Sequence, residues 1–597
     1  LYSHDTGLFL IDLDDKKQTK ISDSGSSPFF TGDSKRVYYL GRDVKGEVIT
    51  TQLHSMDLSG NDQRKHYQGE WITQFKVSPD EQWLAFVQNY QVYVTPFVRN
   101  GKHISTGSGA SNLPVQNFSE HAGDYINWNS NSDTLSWSMG PNLYQQQLAE
   151  RFEFLSDAGA ETEIQPAATV TPIKLTVDTD IPSGTLSLVG AKIITMESED
   201  GKPLIIEEGT IVIKDNRITA VGPSDQVEVP DGGKVMDMQG KTIMPGLVDV
   251  HWHGPYANGQ ITPQTSWNAL ASLAFGVTTT HNPSADTAAV FSAAEMQRAG
   301  DIVAPRIYST GTILYGATHY FTAKVDSLED AIGHLERMKA AGAFSVKSYN
   351  QPRRDQRQQV LEAARQTGLM VVPEGGSLFT HNMTMIIDGH TGIEHSIPMA
   401  AIYDDVKQLW SATDTAYVPT LGVGYGGIWG ERYWYDTTDV WKHPLLTQFV
   451  PAHVLEPVSV RRTKAPLEDY NHFNNARVAT ELQNEGVDVL MGAHGQREGL
   501  ASHWEMWMFA QGGMTPWNVI KASTIDGARY IGMEDELGSI KAGKLADLVI
   551  LDADPMADIQ NSDQVSHVIL NGRLYESATM NQLYPDEVTR PSFYFEE

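Results

Sequence analysis

The chain has 597 residues, 40% of them hydrophobic, and a formal net charge of −30 at pH 7. This length exceeds what one hydrophobic core serves and predicts several domains, while the negative charge argues against nucleic acid or anionic membranes as partners, because their phosphates would repel it. The sequence contains no cysteine, which excludes disulfides, cysteine–zinc sites and thiol nucleophiles.

The N-terminal segment, residues 1–165, contains three similar stretches that each combine a strand, a polar turn and a second strand. They recur about every 50 residues, an interval found in β-propeller blades, and read FFTGDSKRVYYL (29–40), KVSPDEQWLAFV (76–87) and NWNSNSDTLSWS (127–138). In each, Asp or Asn favours the turn and alternating apolar residues bury one face of a hairpin. The stretches resemble the TolB-type β-propeller repeat. Three blades do not close a ring, so the propeller segment is expected to be incomplete.

Residues 166–184 are rich in Pro, Thr and Ala, which predicts a linker. Residues 185–246 then contain short apolar runs separated by Gly, and residues 533–597 return to the same pattern before a C-terminal tail. Two such segments predict one β-sandwich built from both, with residues 247–532 inserted between them as a separate domain.

Within residues 247–532, strand-like apolar runs alternate with helix-like segments. Eight candidate strands lie at 247–253, 277–282, 306–311, 344–349, 370–375, 392–396, 416–422 and 487–494. This alternation predicts a (β/α)8 TIM-like barrel, in which the active site lies at the carboxyl ends of the strands. The predicted fold class is therefore multidomain, α/β plus all-β: a TIM-like barrel with a split β-sandwich, preceded by a partial TolB-like β-propeller segment.

The first predicted barrel strand, LVDVHWH, ends in two histidines separated by one residue. Side chains two residues apart on a strand point to the same side, so His251 and His253 should converge at the barrel mouth. Imidazole is a common ligand of zinc and similar divalent ions. The pair therefore predicts part of a metal site, the alternative being two structural histidines.

Two motifs carry a family resemblance: MPGLVDVHWHG at residues 244–254 and LGSIKAGKLADLVILDADP at residues 537–555. They resemble the two signatures of the amidohydrolase superfamily, in its prolidase- and imidazolonepropionase-like branch, and the resemblance covers about residues 185–576. It implies a barrel joined to a split β-sandwich, one or two divalent ions with Zn²⁺ foremost, and hydrolysis of amide or other C–N bonds. Dipeptides or N-acyl amino acids are the substrates that it suggests.

The resemblance also assigns residues. His251 and His253 match the ligands of the first strand, and His395, in GIEHS, matches the histidine of the sixth. Lys347, in AFSVKSYN, matches the fourth-strand lysine that this branch carboxylates into a ligand bridging two metal ions. The alternative for Lys347 is an ordinary lysine at a strand end.

Two positions depart from the family pattern. Glu374 stands where the fifth strand normally ends in His, and His494 stands where the eighth normally ends in Asp. We expect Glu374 to be a metal ligand and His494 to act as the catalytic acid–base or, alternatively, as a ligand. A degraded site that binds one ion or none is the competing interpretation.

Four further residues are candidates for substrate contacts. His281 ends the second predicted strand and His319 follows the third, while Tyr349 and Arg353 follow Lys347 along the chain. An arginine here could bind a substrate carboxylate through two hydrogen bonds. The alternatives are structural histidines and a solvated helix start.

A second class of function stays open, because propellers commonly present interaction surfaces. A chain with a catalytically altered barrel could be a binding or sensor protein acting through its propeller segment, and metal content and turnover would distinguish the two. The partner expected of an enzyme is a small-molecule substrate, a membrane span is not predicted, and a homo-oligomer stays open. A propeller joined to such a barrel resembles secreted or periplasmic bacterial homologues, although the sequence displays no signal peptide.

Overall fold

The computed structural model of the protein describes residues 6–46, 48–152, 167–257, 261–317, 319 and 321–596. The end of the predicted propeller segment and the first residue of the predicted linker, 153–166, lie outside the described residues. The chain forms two compact units. The first comprises Leu1–Thr176, Leu314–Gly342 and Tyr349–Thr367, and the second comprises Val177–Ile313, Ala343–Ser348 and Gly368–Glu597.

The N-terminal part of the first unit consists of short β-strands. They are β1 (Leu8–Ile11), β2 (Gln18–Ser22), β3 (Ser26–Phe30), β4 (Arg36–Lys45), β5 (Val48–Asp57), β6 (Arg64–Glu70), β7 (Ile72–Val77), β8 (Trp83–Gln88), β9 (Gln91–Pro96), β10 (Ile104–Ser105), β11 (Gln116–Asn117), β12 (Asp124–Trp128), β13 (Thr134–Met139), β14 (Asn142–Gln147) and β15 (Thr169–Pro172). They form four sheets, in the orders β1-β2, β10-β6-β5-β4-β3, β11-β9-β8-β7 and β12-β13-β14-β15.

Each of the three predicted hairpins forms within one of these sheets, as β3–β4, β7–β8 and β12–β13. Strand β8 shows how the sheets pack, since its side chains alternate between two cores: Leu84 and Phe86 join one cluster, and Ala85 and Val87 join another. Alternation of this kind places a sheet between two neighbours. A TolB-type propeller stays a prediction. Strand β15 lies within the predicted linker and pairs with β14, so that segment is not wholly irregular.

The second unit begins with long strands, and the barrel region follows. The sandwich strands are β16 (Thr185–Glu199), β17 (Lys202–Lys214), β18 (Arg217–Pro223), β19 (Lys234–Asp237) and β20 (Thr242–Pro245). The elements after them are β21 (Leu247–Asp249), α1 (Trp267–Ala274), β22 (Val277–Asn282), α2 (Thr287–Ala299), β23 (Arg306–Ser309), β24 (Leu314–Tyr315), α3 (Leu328–Ala340), β25 (Ser345–Tyr349), α4 (Arg354–Thr367), β26 (Met370–Pro373), α5 (Phe379–Asp388), β27 (Gly392–Glu394), α6 (Asp404–Ser411), β28 (Ala416–Val418), α7 (Gly430–Thr437), α8 (Pro444–Phe449), α9 (Ala452–Val460), α10 (His472–Asn484), α11 (Leu500–Gln511), α12 (Pro516–Ala522), α13 (Ile525–Tyr530), β29 (Leu548–Leu551), β30 (Val565–Leu570), β31 (Arg573–Glu576) and β32 (Gln582–Tyr584).

The two chain segments predicted to share a β-domain pair in one nine-stranded sheet. Its order is β18-β17-β16-β20-β29-β30-β31-β32, with β19 also beside β16. The joint between the segments is the antiparallel pair β20–β29, in which Ile243 faces Ile550. Both side chains are fully buried in the core of this sheet, so the barrel region is inserted into a single β-domain.

The barrel strands are short and parallel. Strands β21, β22 and β23 pair in order, as do β25 with β26 and β27 with β28. Single residue pairs join β26 to β27 and β28 to the chain near Val489, and the N–H of Val250 donates to the carbonyl of Met491 at 3.1 Å. The predicted eighth strand, 487–494, thus pairs only at isolated points. The described pairings do not connect β23 to β25, so they do not show a closed sheet.

Helices α3 and α4 belong to the first unit and pack against each other. Ser327 and Asp330 cap α3 reciprocally: each side chain accepts the other's backbone N–H, at 3.1 and 3.0 Å. The N-terminal sheets contact the same helix, because the Arg337 guanidinium lies over the Tyr90 ring at 3.6 Å and the Tyr90 hydroxyl donates to the Phe321 carbonyl at 2.9 Å. Among the described residues, no helix combines the length and apolarity needed to cross a membrane.

An ion pair within the second unit generates a stability prediction. Arg306 on β23 makes a two-point contact with Asp547, at 2.6 and 3.1 Å. We expect Asp547→Ala to lower the free energy of unfolding by about 3 kcal/mol, because it leaves a largely buried guanidinium unpaired. Urea denaturation followed by circular dichroism measures this effect. Lys541→Ala is the control: it breaks an exposed pair with Glu197 at 3.1 Å and should cost less than about 1 kcal/mol. Equal losses would contradict the prediction.

Candidate metal centre

Three histidines meet at the carboxyl ends of the barrel strands. His251 and His253 follow β21, and their Nε2 atoms are 3.0 Å apart. His494 joins them, and one ring nitrogen from each of the three lies within 4.8 Å of the others. Two nitrogen ligands of one tetrahedral zinc ion are separated by about 3.3 Å. The three imidazoles therefore fit a divalent cation.

All three rings are neutral at pH 7. Burial, aided by neighbouring positive groups, lowers the pKa of His253 to about 3 and that of His494 to about 4, and it holds the pKa of His251 well below its usual range. Neutral imidazole is the form that binds a metal, since protonation removes the lone pair. No proton has to be displaced from these rings near pH 7 for a cation to bind.

The other nitrogen of each ring faces an oxygen atom. His253 Nδ1 is 3.2 Å from Asn282 Oδ1, and His494 Nδ1 is 3.0 Å from Gln496 Oε1. A side-chain amide oxygen only accepts hydrogen bonds, so Nδ1 donates and Nε2 keeps its lone pair. Partners of this kind fix the tautomer and the ring orientation of metal ligands.

His251 is oriented by the carboxyl group of a glutamate. Its Nδ1 contacts Glu394, the residue before His395, and both side chains are fully buried. The hydroxyl of Tyr530 donates to the other oxygen of Glu394 at 3.1 Å. Sequence reasoning did not identify Glu394 or Tyr530, because both act across the barrel and neither lies in a local motif.

A second buried carboxylate joins the first and eighth strand positions. Asp249 Oδ1 accepts the N–H of His251 at 3.2 Å and that of Ala493 at 3.1 Å, and Oδ2 accepts the Ser502 hydroxyl at 3.0 Å. His494 follows Ala493 directly, and its own N–H donates to the His251 carbonyl at 2.7 Å. Asp249 was also missed, although its spacing of two from His251 places it on the same side of the strand.

The predicted ligands Lys347, Glu374 and His395 form a neighbouring cluster. Lys347 Nζ lies 2.9 Å from Glu374 Oε2, and His395 Nε2 lies 3.1 Å from Glu374 Oε1. Burial alone would raise the pKa of Glu374, but the Lys347 ammonium and His395 outweigh it and hold this pKa well below its usual range. The His395 ring is 4.9 Å from that of His251 and 5.4 Å from that of His494. The cluster thus borders the three-histidine site, and its members contact one another.

Three non-glycine residues at the site have left-handed backbone conformations. The φ angles of His395, Thr420 and His494 are 70°, 44° and 62°. This region costs a non-glycine residue roughly 1–3 kcal/mol and is concentrated at functional sites. Thr420 Oγ1 contacts His395 Nδ1 at 2.8 Å, and the N–H groups that follow Thr420, on Leu421 and Gly422, donate to the buried Glu505. The surrounding protein therefore holds these residues in place.

Two expectations change at the site. His494, predicted as the catalytic acid–base, lies with His251 and His253, which supports the alternative role of ligand. His281, predicted to contact substrate, is fully buried. Its Nδ1 contacts the Val250 carbonyl at 3.2 Å and its Nε2 contacts Ser345 Oγ at 2.9 Å. Both ring nitrogens of His281 have protein partners, which favours the structural alternative, and its contact with substrate stays a prediction.

The other three substrate candidates belong to the first unit. There the Tyr315 ring packs against His319 at 5.9 Å and against Tyr349 at 5.4 Å. Arg353 is half exposed and forms ion pairs with Asp355 and Asp326, at 3.3 and 3.7 Å, an arrangement typical of a solvated helix start. Contacts of His319, Tyr349 and Arg353 with substrate stay predictions.

Sequence comparisons relate this chain to known hydrolases. A model of the amidohydrolase family matches residues 470–575. The imidazolonepropionase of Symbiobacterium thermophilum is 25% identical over 384 residues, which cover 58% of this chain and 84% of that protein. The S-triazine hydrolase of Gordonia rubripertincta is 56% identical over 39 residues, 6% of this chain and 8% of that protein.

Solved structures share the fold. A Xaa-Pro dipeptidase with methionine bound in its active site superposes with a TM-score of 0.51 at 21% identity, covering 66% of this chain and 100% of that one. Molinate hydrolase superposes with a TM-score of 0.51 at 20% identity, covering 69% of this chain and 99% of that one. At these identities the likeness is one of fold alone, a region of parallel strands and helices joined to a β-domain, and it leaves the substrate unassigned.

Imidazoles that converge at the carboxyl ends of neighbouring parallel strands form an arrangement suited to a divalent metal ion. Residues 470–575 match the amidohydrolase family, and the chain is similar to an imidazolonepropionase in sequence and to a Xaa-Pro dipeptidase in fold.

The contact between His251 and Glu394 generates a binding prediction. Glu394→Gln keeps the size of the side chain but weakens the acceptor that orients His251, so zinc affinity should fall about 10–100-fold. Competition with a chromophoric chelator measures the dissociation constant. Tyr530→Phe, which removes only the hydrogen bond to the opposite oxygen, should have a smaller effect. Unchanged affinity in Glu394→Gln would exclude an orienting role.

The buried His281 generates a pH prediction. Burial lowers its pKa in the folded chain to about 4, whereas a histidine in the unfolded chain titrates near ~6.5. Its contribution to stability is full above about pH 6.5 and is lost as the pH falls towards 4, an effect of about 3 kcal/mol. In metal-free protein, His281→Asn should therefore flatten the decrease in urea stability between pH 7 and pH 4. An unchanged slope would contradict this assignment.

Proposed function

We propose that this protein uses a divalent cation, Zn²⁺ foremost, to hydrolyse an amide or related C–N bond of a small molecule. The observation that carries the proposal is the convergence of His251, His253 and His494, each neutral at pH 7. Three protein ligands and an open position are typical of catalytic zinc sites.

The roles of the side chains follow from their contacts. His251, His253 and His494 would hold the cation, which when bound supplies Lewis acidity that acidifies water and polarises a carbonyl oxygen. His395 lies beside these three, held between Thr420 Oγ1 and Glu374 Oε1. Imidazole is the side chain that most often transfers protons in hydrolysis. We assign to His395, together with its partner Glu374, the transfer of the proton from the attacking water to the leaving nitrogen.

The substrate class is proposed from relatives. The names Xaa-Pro dipeptidase and imidazolonepropionase belong to proteins that share this fold or sequence, and they suggest small peptides, N-acyl amino acids or cyclic amides. The zinc identity and the TolB-like character of the N-terminal sheets are parts of the same proposal, as is a periplasmic or secreted location.

A substrate panel combined with two variants tests the proposal. Dipeptides, including Xaa-Pro, together with N-acyl amino acids and cyclic amides are assayed for amide cleavage, before and after chelation and zinc restoration. His395→Asn should retain the wild-type metal content and lose about 10²–10⁴-fold in turnover. His494→Asn should lose the metal, as measured by elemental mass spectrometry.

The reverse pattern, with metal retained in His494→Asn and lost in His395→Asn, would return the acid–base role to His494. An absence of turnover across the panel by zinc-loaded protein would refute these substrate classes.

A further inference from the structure

The cluster of Lys347, Glu374 and His395 points to a metal centre that departs from the family pattern. We infer that the site holds a single divalent ion on His251, His253 and His494, and that Lys347 stays ion-paired with Glu374 instead of becoming a carbamate that bridges two ions. The inference rests on the proposed function, because it specifies the cation site of the same hydrolase.

The first support is the charge beside Lys347. Carboxylation requires a neutral amine: its lone pair bonds to the carbon of CO₂, one N–H proton is released, and an anionic carbamate results. Here the carboxylate of Glu374 lies 2.9 Å from Lys347 Nζ, with the two side chains 2% and 10% exposed. Attraction between opposite charges is strong when little water screens them, and a carbamate in the same place would repel the carboxylate. A carbamate at Lys347 would therefore place two anionic groups side by side with little water between them.

The second support is that the side chains available to bind a second ion already have partners within the protein. Both oxygens of Glu374 already have partners, Oε2 with Lys347 and Oε1 with His395. The neighbouring carboxylate, Glu394, contacts His251 and Tyr530 within the protein. A second ion would have to break the ion pair of Lys347 and leave its ammonium buried without its counter-charge, which is costly.

The third support is the completeness of the three-histidine site. His494 replaces the acidic residue expected at the eighth strand, so the set consists of three neutral nitrogen ligands, sufficient for one catalytic zinc ion. The positive charge of Lys347 acts on all three rings.

Two measurements on the wild-type full chain test the inference without a substrate. Protein purified without chelator, then equilibrated with excess zinc and desalted, should contain one ion per chain by elemental mass spectrometry. Carbon-13 NMR after incubation with ¹³C-bicarbonate should show no carbamate carbonyl signal that is absent from Lys347→Met. Two ions per chain, or a carbamate signal lost in Lys347→Met, would overturn the inference.

Two variants distinguish the three-histidine site from the neighbouring cluster of Lys347, Glu374 and His395. Glu374→Gln should still bind one ion, whereas His253→Asn should lose it. If Glu374→Gln does not fold, the wild-type ion count and carbamate spectrum still decide the question. Two ions together with amide turnover would overturn this inference alone, and one ion without turnover on the panel would overturn the proposed function alone. No bound ion would overturn both.

Discussion

The candidate centre depends on one buried carboxylate, that of Asp249. It accepts N–H groups from His251 and Ala493 and so holds the first and eighth strand positions at a fixed separation. The eighth position needs such a connection, because residues 487–494 pair with their neighbours only at isolated points. Hydrogen bonds to the Asp249 side chain connect the two positions here, whereas backbone hydrogen bonds connect the other strands. The position of His494 relative to His251 is consequently set by the protein before any cation binds.

An exchange of residue types between two strands changes where charge lies in the site. The family pattern places an acid at the eighth strand and an imidazole at the fifth, and this chain has His494 and Glu374 there. The two strands together keep the same residue types, but the neutral and the charged side chains of the site form two separate groups. One group, His251, His253 and His494, is neutral and suited to a cation, and the adjacent group contains a positive lysine and a negative glutamate. Residue composition alone would not reveal this separation, because it follows from which side chains touch.

Local sequence patterns predicted much of the fold. They could not predict which side chains on different barrel strands lie close together. The convergence of His251 and His253 follows from the two-residue repeat of a strand, and the start of α3 follows from the Ser327–Asp330 spacing. The roles of His494 and Glu374 stay predictions, because they depend on contacts between strands far apart in sequence that local motifs do not encode. The surroundings of His281 were equally out of reach: its position at a strand end suggested a pocket, and its ring nitrogens contact Val250 and Ser345.

The inclusion of α3 and α4 in the first unit has an evolutionary consequence. Arg337 on α3 stacks on Tyr90 of the N-terminal sheets, and a side chain at Gly140, whose φ is +56°, would meet the carbonyl of Ala340 at the end of the same helix. Substitutions on either side of this contact must be compatible with the other. The N-terminal sheets and these two barrel helices are therefore expected to diverge together. Recombination that replaced the N-terminal segment alone would separate side chains that contact each other, even though the change in sequence composition suggests a domain boundary there.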